Sequence, residues 1–246
     1  MSARVEQVTT PDGPFDLTVW VPEAGHGPGL LLIQEIYGVS EYIIAVAEDL
    51  AALGYVVAAP DLFWRLKQGH RAKHDEQGLN ESLALSANFD AGQGVTDAEA
   101  ALAHLAALPE VQGGLGVIGF CLGGSIAYFL AARADLDAVV SFYGSAVPGS
   151  TEVLAQISAP IQFHFGGSDP YIPRDQVAQV EQAVRGSQNA EIHVEEQAGH
   201  AFHNRKAPMF HVPEAAASAW HRTEAFLARH LPTRQETKET TETTET

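Results

Sequence analysis

Four side chains in this sequence could attack a carbonyl together if the fold brought them to one place: Cys121, His200, Asp169 and Glu35. Cys121 is the only cysteine and stands in Gly119-Phe120-Cys121-Leu122-Gly123-Gly124. The apolar run 115–120 reads as a strand and 122–134 as a helix, so the cysteine falls at a strand-to-helix junction. A nucleophile at such a sharp turn takes strained dihedrals and needs small residues two positions away on either side. Gly119 and Gly123 meet that need. The helix would aim its first amides and the positive end of its dipole at the sulfur, which favours thiolate over thiol. The same amides, that of Leu122 first, would hold an oxyanion. The competing reading of a lone cysteine is a small buried apolar residue. The flanking glycines favour the nucleophile, and no G-x-G-x-x-G with a following acid is present to suggest a dinucleotide turn.

A thiol nucleophile needs a base, and the base needs an orienting group. On an α/β sheet such groups follow in the chain order nucleophile, acid, histidine. Asp169 follows the apolar run 161–165 in Gly166-Gly167-Ser168-Asp169-Pro170. His200 follows the extended segment 191–194 in Ala198-Gly199-His200-Ala201-Phe202. Singly, an Asp before Pro is a common turn residue, and His200 is one of 11 histidines. Glu35 ends the run 29–34 in Gln34-Glu35-Ile36-Tyr37-Gly38 and would lie near the thiol. Its bland alternative is a solvated loop acid, because Glu is seldom buried unless paired. The Ile36 amide is the natural second oxyanion donor. His164 and His193 fall inside strands and read as structural. His200 and His203 have ligand-like spacing but no third ligand, so no metal is expected, and no cofactor.

These residues must be carried by an alternation of strands and helices. Segment 15–21 reads as a strand paired with 5–9. Strands follow at 29–34, 55–59, 115–120, 137–143, 161–165 and 191–194. Helices are expected at 40–53 (Ser40 as N-cap, Gly54 closing), 96–108, 122–134, 174–184 and 213–230. Residues 64–88 are polar and ambiguous. Strands joined through helices imply crossover connections, and so a mainly parallel sheet covered on both faces. Ligands then bind beyond the carboxyl ends of the strands, which is where all four candidates fall. Residues 1–233 read as one domain. The run RQETKETTETTET from Arg234 has no apolar residue to bury and reads as a disordered tail, 234–246.

Composition narrows the partners. With 46% hydrophobic and 18% charged residues the chain of 246 is globular. Its 14 Lys+Arg against 31 Asp+Glu, a net −17, argue against nucleic acid and anionic membrane surfaces. A single cysteine excludes an internal disulfide and suits a reducing compartment. No membrane span and no signal core are seen, so a cytoplasmic protein acting on a small molecule is expected, as a monomer or else a dimer.

At these same residues the sequence resembles the dienelactone hydrolase family. The resemblance is carried by QEIYGV (34–39), APDL (59–62), FDAGQGVTDAEAAL (89–102), GFCLGG (119–124), GGSDP (166–170) and AGHAF (198–202), and extends over roughly 5–230. It implies an α/β-hydrolase fold with a mostly parallel sheet of about eight strands and helices on both faces. It implies a carboxylic ester or lactone hydrolase with a Cys121-His200-Asp169 triad working through an acyl-enzyme. Glu35 would hydrogen-bond the resting thiol, Leu122 and Ile36 would form the oxyanion hole, and Arg205, Tyr37, Phe202 and Leu83 would bind substrate. The sequence also departs from the pattern. Members that open dienelactones grip a substrate carboxylate with two arginines. Asn204 stands at one of those positions, with Arg205 next to it, and Leu79 at the other. Leu83 and Ser86 replace aromatic residues, and Arg65 and Arg71 are the other cations that could serve. Two alternatives follow: a thioesterase or broad acyl-ester hydrolase with an aliphatic pocket, and a non-catalytic binding protein on the same fold.

Overall fold

Continuous apolar runs become the interior strands, because a strand covered on both faces has no polar side to show. In the computed structural model, which describes residues 2–233, β3 (Gly27–Ile33) and β4 (Val56–Pro60) are buried along their whole length. The same holds for β6 (Ala138–Phe142) and β7 (Ile161–Gly166). With β1 (Ser2–Thr10), β2 (Gly13–Val21), β5 (Val111–Phe120) and β8 (Ala190–Glu195) they form one eight-stranded sheet in the order β1-β2-β4-β3-β5-β6-β7-β8. β1 and β2 pair antiparallel, as do β2 and β4. Every other pairing is parallel. This is the mostly parallel α/β-hydrolase sheet that the sequence implies.

The helices pack on it by one apolar stripe each. α1 (Glu41–Ala52) buries Tyr42, Ile43, Val46, Ala47, Leu50 and Ala51. Ser40 holds the N-cap position, although its side chain makes no capping bond. α6 (Arg174–Val184) buries Val177, Val180 and Val184. α7 (Pro213–His230) opens with Pro at its first turn, where no amide partner is lost, and α5 (Leu122–Ala131) is buried over most of its length. The ambiguous stretch 64–88 resolves into a short α2 (Trp64–Lys67) and α3 (Glu76–Ser86), the latter capped by Asp75 accepting from the Gly78 amide at 2.8 Å. α4 (Ala91–Ala106) starts five residues earlier than expected, because Asp90 caps it by accepting from Gln93 N–H at 3.0 Å. A 3₁₀ segment, Pro148–Gln156, was not foreseen. Among the described residues no helix is long and apolar enough to cross a membrane. The expected tail, 234–246, lies outside the described residues.

The strand order fixes the place where chemistry can occur. From β3 the chain steps to β4 on one side, then returns through β5 on the other. Such a reversal opens a crevice at the carboxyl ends of the two strands involved. Glu35 follows β3 and Cys121 follows β5, and the two strands are in register with Ile33 opposite Gly119.

Candidate active site

Cys121 turns the chain from β5 into α5 with φ 55° and ψ −114°. That left-handed backbone is unfavourable for a residue with a Cβ. It is held by Cys121 N–H donating to the Phe142 carbonyl at 3.0 Å and by Ser125 N–H donating to the Cys121 carbonyl at 3.2 Å. The two glycines are required by backbone contact. A Cβ on Gly119 would sit 2.0 Å from the Gly123 carbonyl oxygen, and one on Gly123 would sit 2.3 Å from that of Ile33. Gly123→Ala is therefore expected to lower stability by about 3 kcal/mol, because only backbone can give way. Denaturant unfolding measures this, and an unchanged midpoint would refute the close approach.

Strain gathers around this one spot. Among the described residues, the non-glycine positions with positive φ are Cys121, Tyr143 and Ala201. Tyr143 follows β6 and its ring centroid is 5.1 Å from that of His200, while Ala201 directly follows His200. Clustered left-handed backbone of this kind is typical of functional sites.

The loops after β7 and β8 complete the constellation. His200 Nδ1–H donates to Asp169 Oδ2 at 2.7 Å. Asp169 is buried, and its Oδ1 accepts from the amides of Tyr171 (2.7 Å) and Ile172 (3.2 Å). A carboxylate accepts only, so the proton belongs on Nδ1 and Nε2 is left facing the sulfur. Nε2 lies 3.1 Å from Cys121 Sγ. Burial opposes the imidazolium, but the charge of Cys121 and the hydrogen bond to Asp169 outweigh it. The His200 pKa is pushed up to about 10. A sulfur beside an imidazole that a carboxylate orients is an arrangement able to attack acyl carbon.

Glu35 is almost wholly buried and held by residues that sequence reasoning did not assign. Asn204 Nδ2 donates to Oε1 at 3.1 Å and to Oε2 at 3.2 Å, and His74 Nε2 lies 2.9 Å from Oε1. Among the described residues Glu35 makes no hydrogen bond to Cys121, whose partner is His200. The implied Glu35–thiol bond is thus absent from this arrangement, because Asn204 and His74 take the carboxylate. His74 belongs to the polar stretch 64–88 and carried no signal of its own. Asn204 was noticed only as a departure from the family pattern.

A cavity of about 160 Å³ opens beside the sulfur. It is lined by Cys121, His200, Glu35, Ile36, Tyr37, Leu79, Leu83, Phe210, Tyr171, Ser145 and Ala201. Ile36 thus stands at the cavity, and Leu122 opens the helix behind the sulfur, where first-turn amides have no intrahelical partner. The Tyr37 phenol is pushed up to about 12 by burial and by the Glu35 and Cys121 charges, so it keeps its proton. Its hydroxyl is buried without a hydrogen-bond partner.

Two expected substrate contacts lie elsewhere. Arg205 points away, toward α1, with Nη1 2.7 Å from Asp49 Oδ2 and Nη2 donating to the Ala45 carbonyl at 3.2 Å. Phe202 is fully buried against Phe142 and Tyr143 and does not line the cavity. Arg65 is bound to Asp97 and, at 2.8 Å, to Asp12. Arg71 borders a separate small cleft with Asp61 and His70. His203 faces Tyr42 Oη at 2.7 Å, with its pKa lowered to about 3 mainly by burial. No group of three or more His, Cys, Asp or Glu side chains suited to a metal ion occurs among the described residues.

The model of the dienelactone hydrolase family matches residues 15–231. A carboxymethylenebutenolidase of Pseudomonas sp. (strain P51) is 32% identical over 221 residues, covering 89% of this chain and 92% of that protein. One from Pseudomonas putida is 31% identical, covering 87% and 91%. A solved Klebsiella pneumoniae structure, provisionally described as a dienelactone hydrolase, superposes with a TM-score of 0.78 at 28% identity, covering 93% of this chain and 99% of that one.

Proposed function

The chain belongs to the dienelactone hydrolase family, and from that premise we propose that it hydrolyses carboxylic ester or lactone bonds with Cys121 as nucleophile. The observation that carries this reading is the continuous line from Asp169 through His200 to a sulfur at 3.1 Å on a strained turn.

The sulfur, as thiolate, attacks the carbonyl carbon and the carbonyl electron pair moves onto oxygen. The amides of Leu122 and Ile36 receive that oxyanion. Collapse expels the alkoxide, which takes the proton from His200 Nε2, and leaves a thioester on Cys121. In a lactone the alcohol stays attached to the acyl group. Water then gives a proton to Nε2 and attacks the thioester, and the carboxylic acid leaves as the thiolate re-forms. Asp169 keeps the imidazole in the tautomer that serves both steps. Glu35, held by Asn204 and His74, places a carboxylate at the cavity wall, where it opposes anions and steadies the loop that carries Ile36.

The test is to trap the intermediate. An activated ester such as phenyl butyrate, mixed with the protein and quenched in acid, is expected to add one butyryl mass on the peptide containing Cys121. Turnover with the label on another residue, or with none, would refute the thiol route.

A further inference from the structure

Among the described residues, the one cationic group at the cavity that receives the acyl group, His200, is already held between Cys121 and Asp169. No Lys or Arg among them lines that cavity. Arg205 is engaged with Asp49 and Arg65 with Asp97 and Asp12, and Arg71 borders a separate cleft with Asp61 and His70. The side-chain nitrogens of Asn204 and His74 are both turned onto Glu35. A carboxylate entering here would meet the Glu35 carboxylate with no counter-charge beyond the already paired His200, in a chain that carries −17. Leu79, Leu83 and Phe210 offer it only apolar surface. Among the buried side-chain oxygens of the lining residues, the Tyr37 hydroxyl is the one without a hydrogen-bond partner. The phenol keeps its proton, so it donates and does not add charge.

Building on the thiol-hydrolase reading, we propose that this site selects uncharged esters whose acyl group is apolar and carries one neutral oxygen acceptor for Tyr37. The volume suits a group about the size of benzene, which fills a cavity of roughly 150 Å³. The apolar part rests on Leu79 and Leu83, and the acceptor, a ketone, ether or ester oxygen, accepts a hydrogen bond from the Tyr37 hydroxyl. A buried donor left without a partner is costly, so acyl groups lacking the acceptor are bound less well. Anions are rejected by like charge and by desolvation.

Three phenyl esters of nearly equal shape test this: the 4-oxopentanoate, the 4-methylpentanoate and the hemisuccinate, with rates corrected for uncatalysed hydrolysis. The expected order of kcat/KM is oxopentanoate, then methylpentanoate, then hemisuccinate, with the last about 100-fold or more below the first. Tyr37→Phe is expected to lower the oxopentanoate about 10-fold more than the methylpentanoate, mainly through KM. Leu79→Arg is expected to raise hemisuccinate turnover at least about 10-fold by supplying the missing counter-charge. Wild-type preference for the hemisuccinate would overturn the selection of uncharged esters. An equal effect of Tyr37→Phe on both neutral esters would overturn the role of Tyr37. A protein that turns over none of the three and forms no acyl adduct would instead overturn the underlying hydrolase reading.

Discussion

Cys121→Ala is expected to lower kcat/KM for phenyl esters by at least about 10⁴-fold, in line with loss of a nucleophile elsewhere. Alanine inherits the φ of 55° and the same two backbone hydrogen bonds, so the turn is no more strained than before. What disappears is the sulfur 3.1 Å from His200 Nε2. The acyl adduct should vanish with the activity while the circular dichroism spectrum and the unfolding transition persist. Cys121→Ser separates acidity from shape. It keeps the geometry within one atom, but its hydroxyl is a far weaker acid, so most of the loss should remain. Alanine-variant turnover above about 1% of wild type would remove the thiol from the reaction.

Asp169→Asn is expected to cost about 10³- to 10⁴-fold in kcat/KM with little change in fold. Asparagine can present its NH₂ to Nδ1, so the ring proton moves to Nε2 and the neutral imidazole can no longer accept from the thiol or from water. The pH dependence should move as well. In the wild type burial opposes the charged ring, but the Cys121 charge and Asp169 together hold the His200 pKa at about 10, against an ordinary 6.5. The alkaline limb of kcat/KM should therefore lie near pH 10 and fall to lower pH in the variant. A raised folded-state pKa stabilises the fold fully below about 6.5, and that contribution is lost as pH rises toward 10. Wild-type thermal stability should thus decline over this window, and the decline should be shallower in Asp169→Asn. Identical pH–rate profiles for the two proteins would break the link between Asp169 and the His200 proton.

Much of the framework can be read from apolar patterning. Interior strands such as Leu30–Ile33 and helices such as Arg174–Val184 announce themselves because burial on both faces, or on one stripe, leaves a periodic trace. The strand-end placement of Cys121, Asp169 and His200 follows from the same trace plus glycine at positions where a Cβ would strike backbone. What stayed hidden depends on tertiary partners. The early start of α4 rests on a single Asp90 cap. α3 has only a weak apolar stripe, because one of its sides faces the cavity rather than a packed core. The grip of Asn204 and His74 on Glu35 joins three segments distant in sequence, and no local pattern encodes it. Arg205 misled for a related reason. A shift of one residue along the loop past His200 sends the side chain to Asp49 instead of the cavity.

The solitary sulfhydryl has a practical corollary. Every thiol reagent that reacts with the native protein reports on the same atom, so a colorimetric titration counts competent centres directly and gives the active fraction of any preparation. The chain also has no second cysteine with which to resolve a sulfenic acid. Rescue from peroxide must therefore come from a small external mercaptan, and it fails once oxidation has advanced to the sulfinic stage.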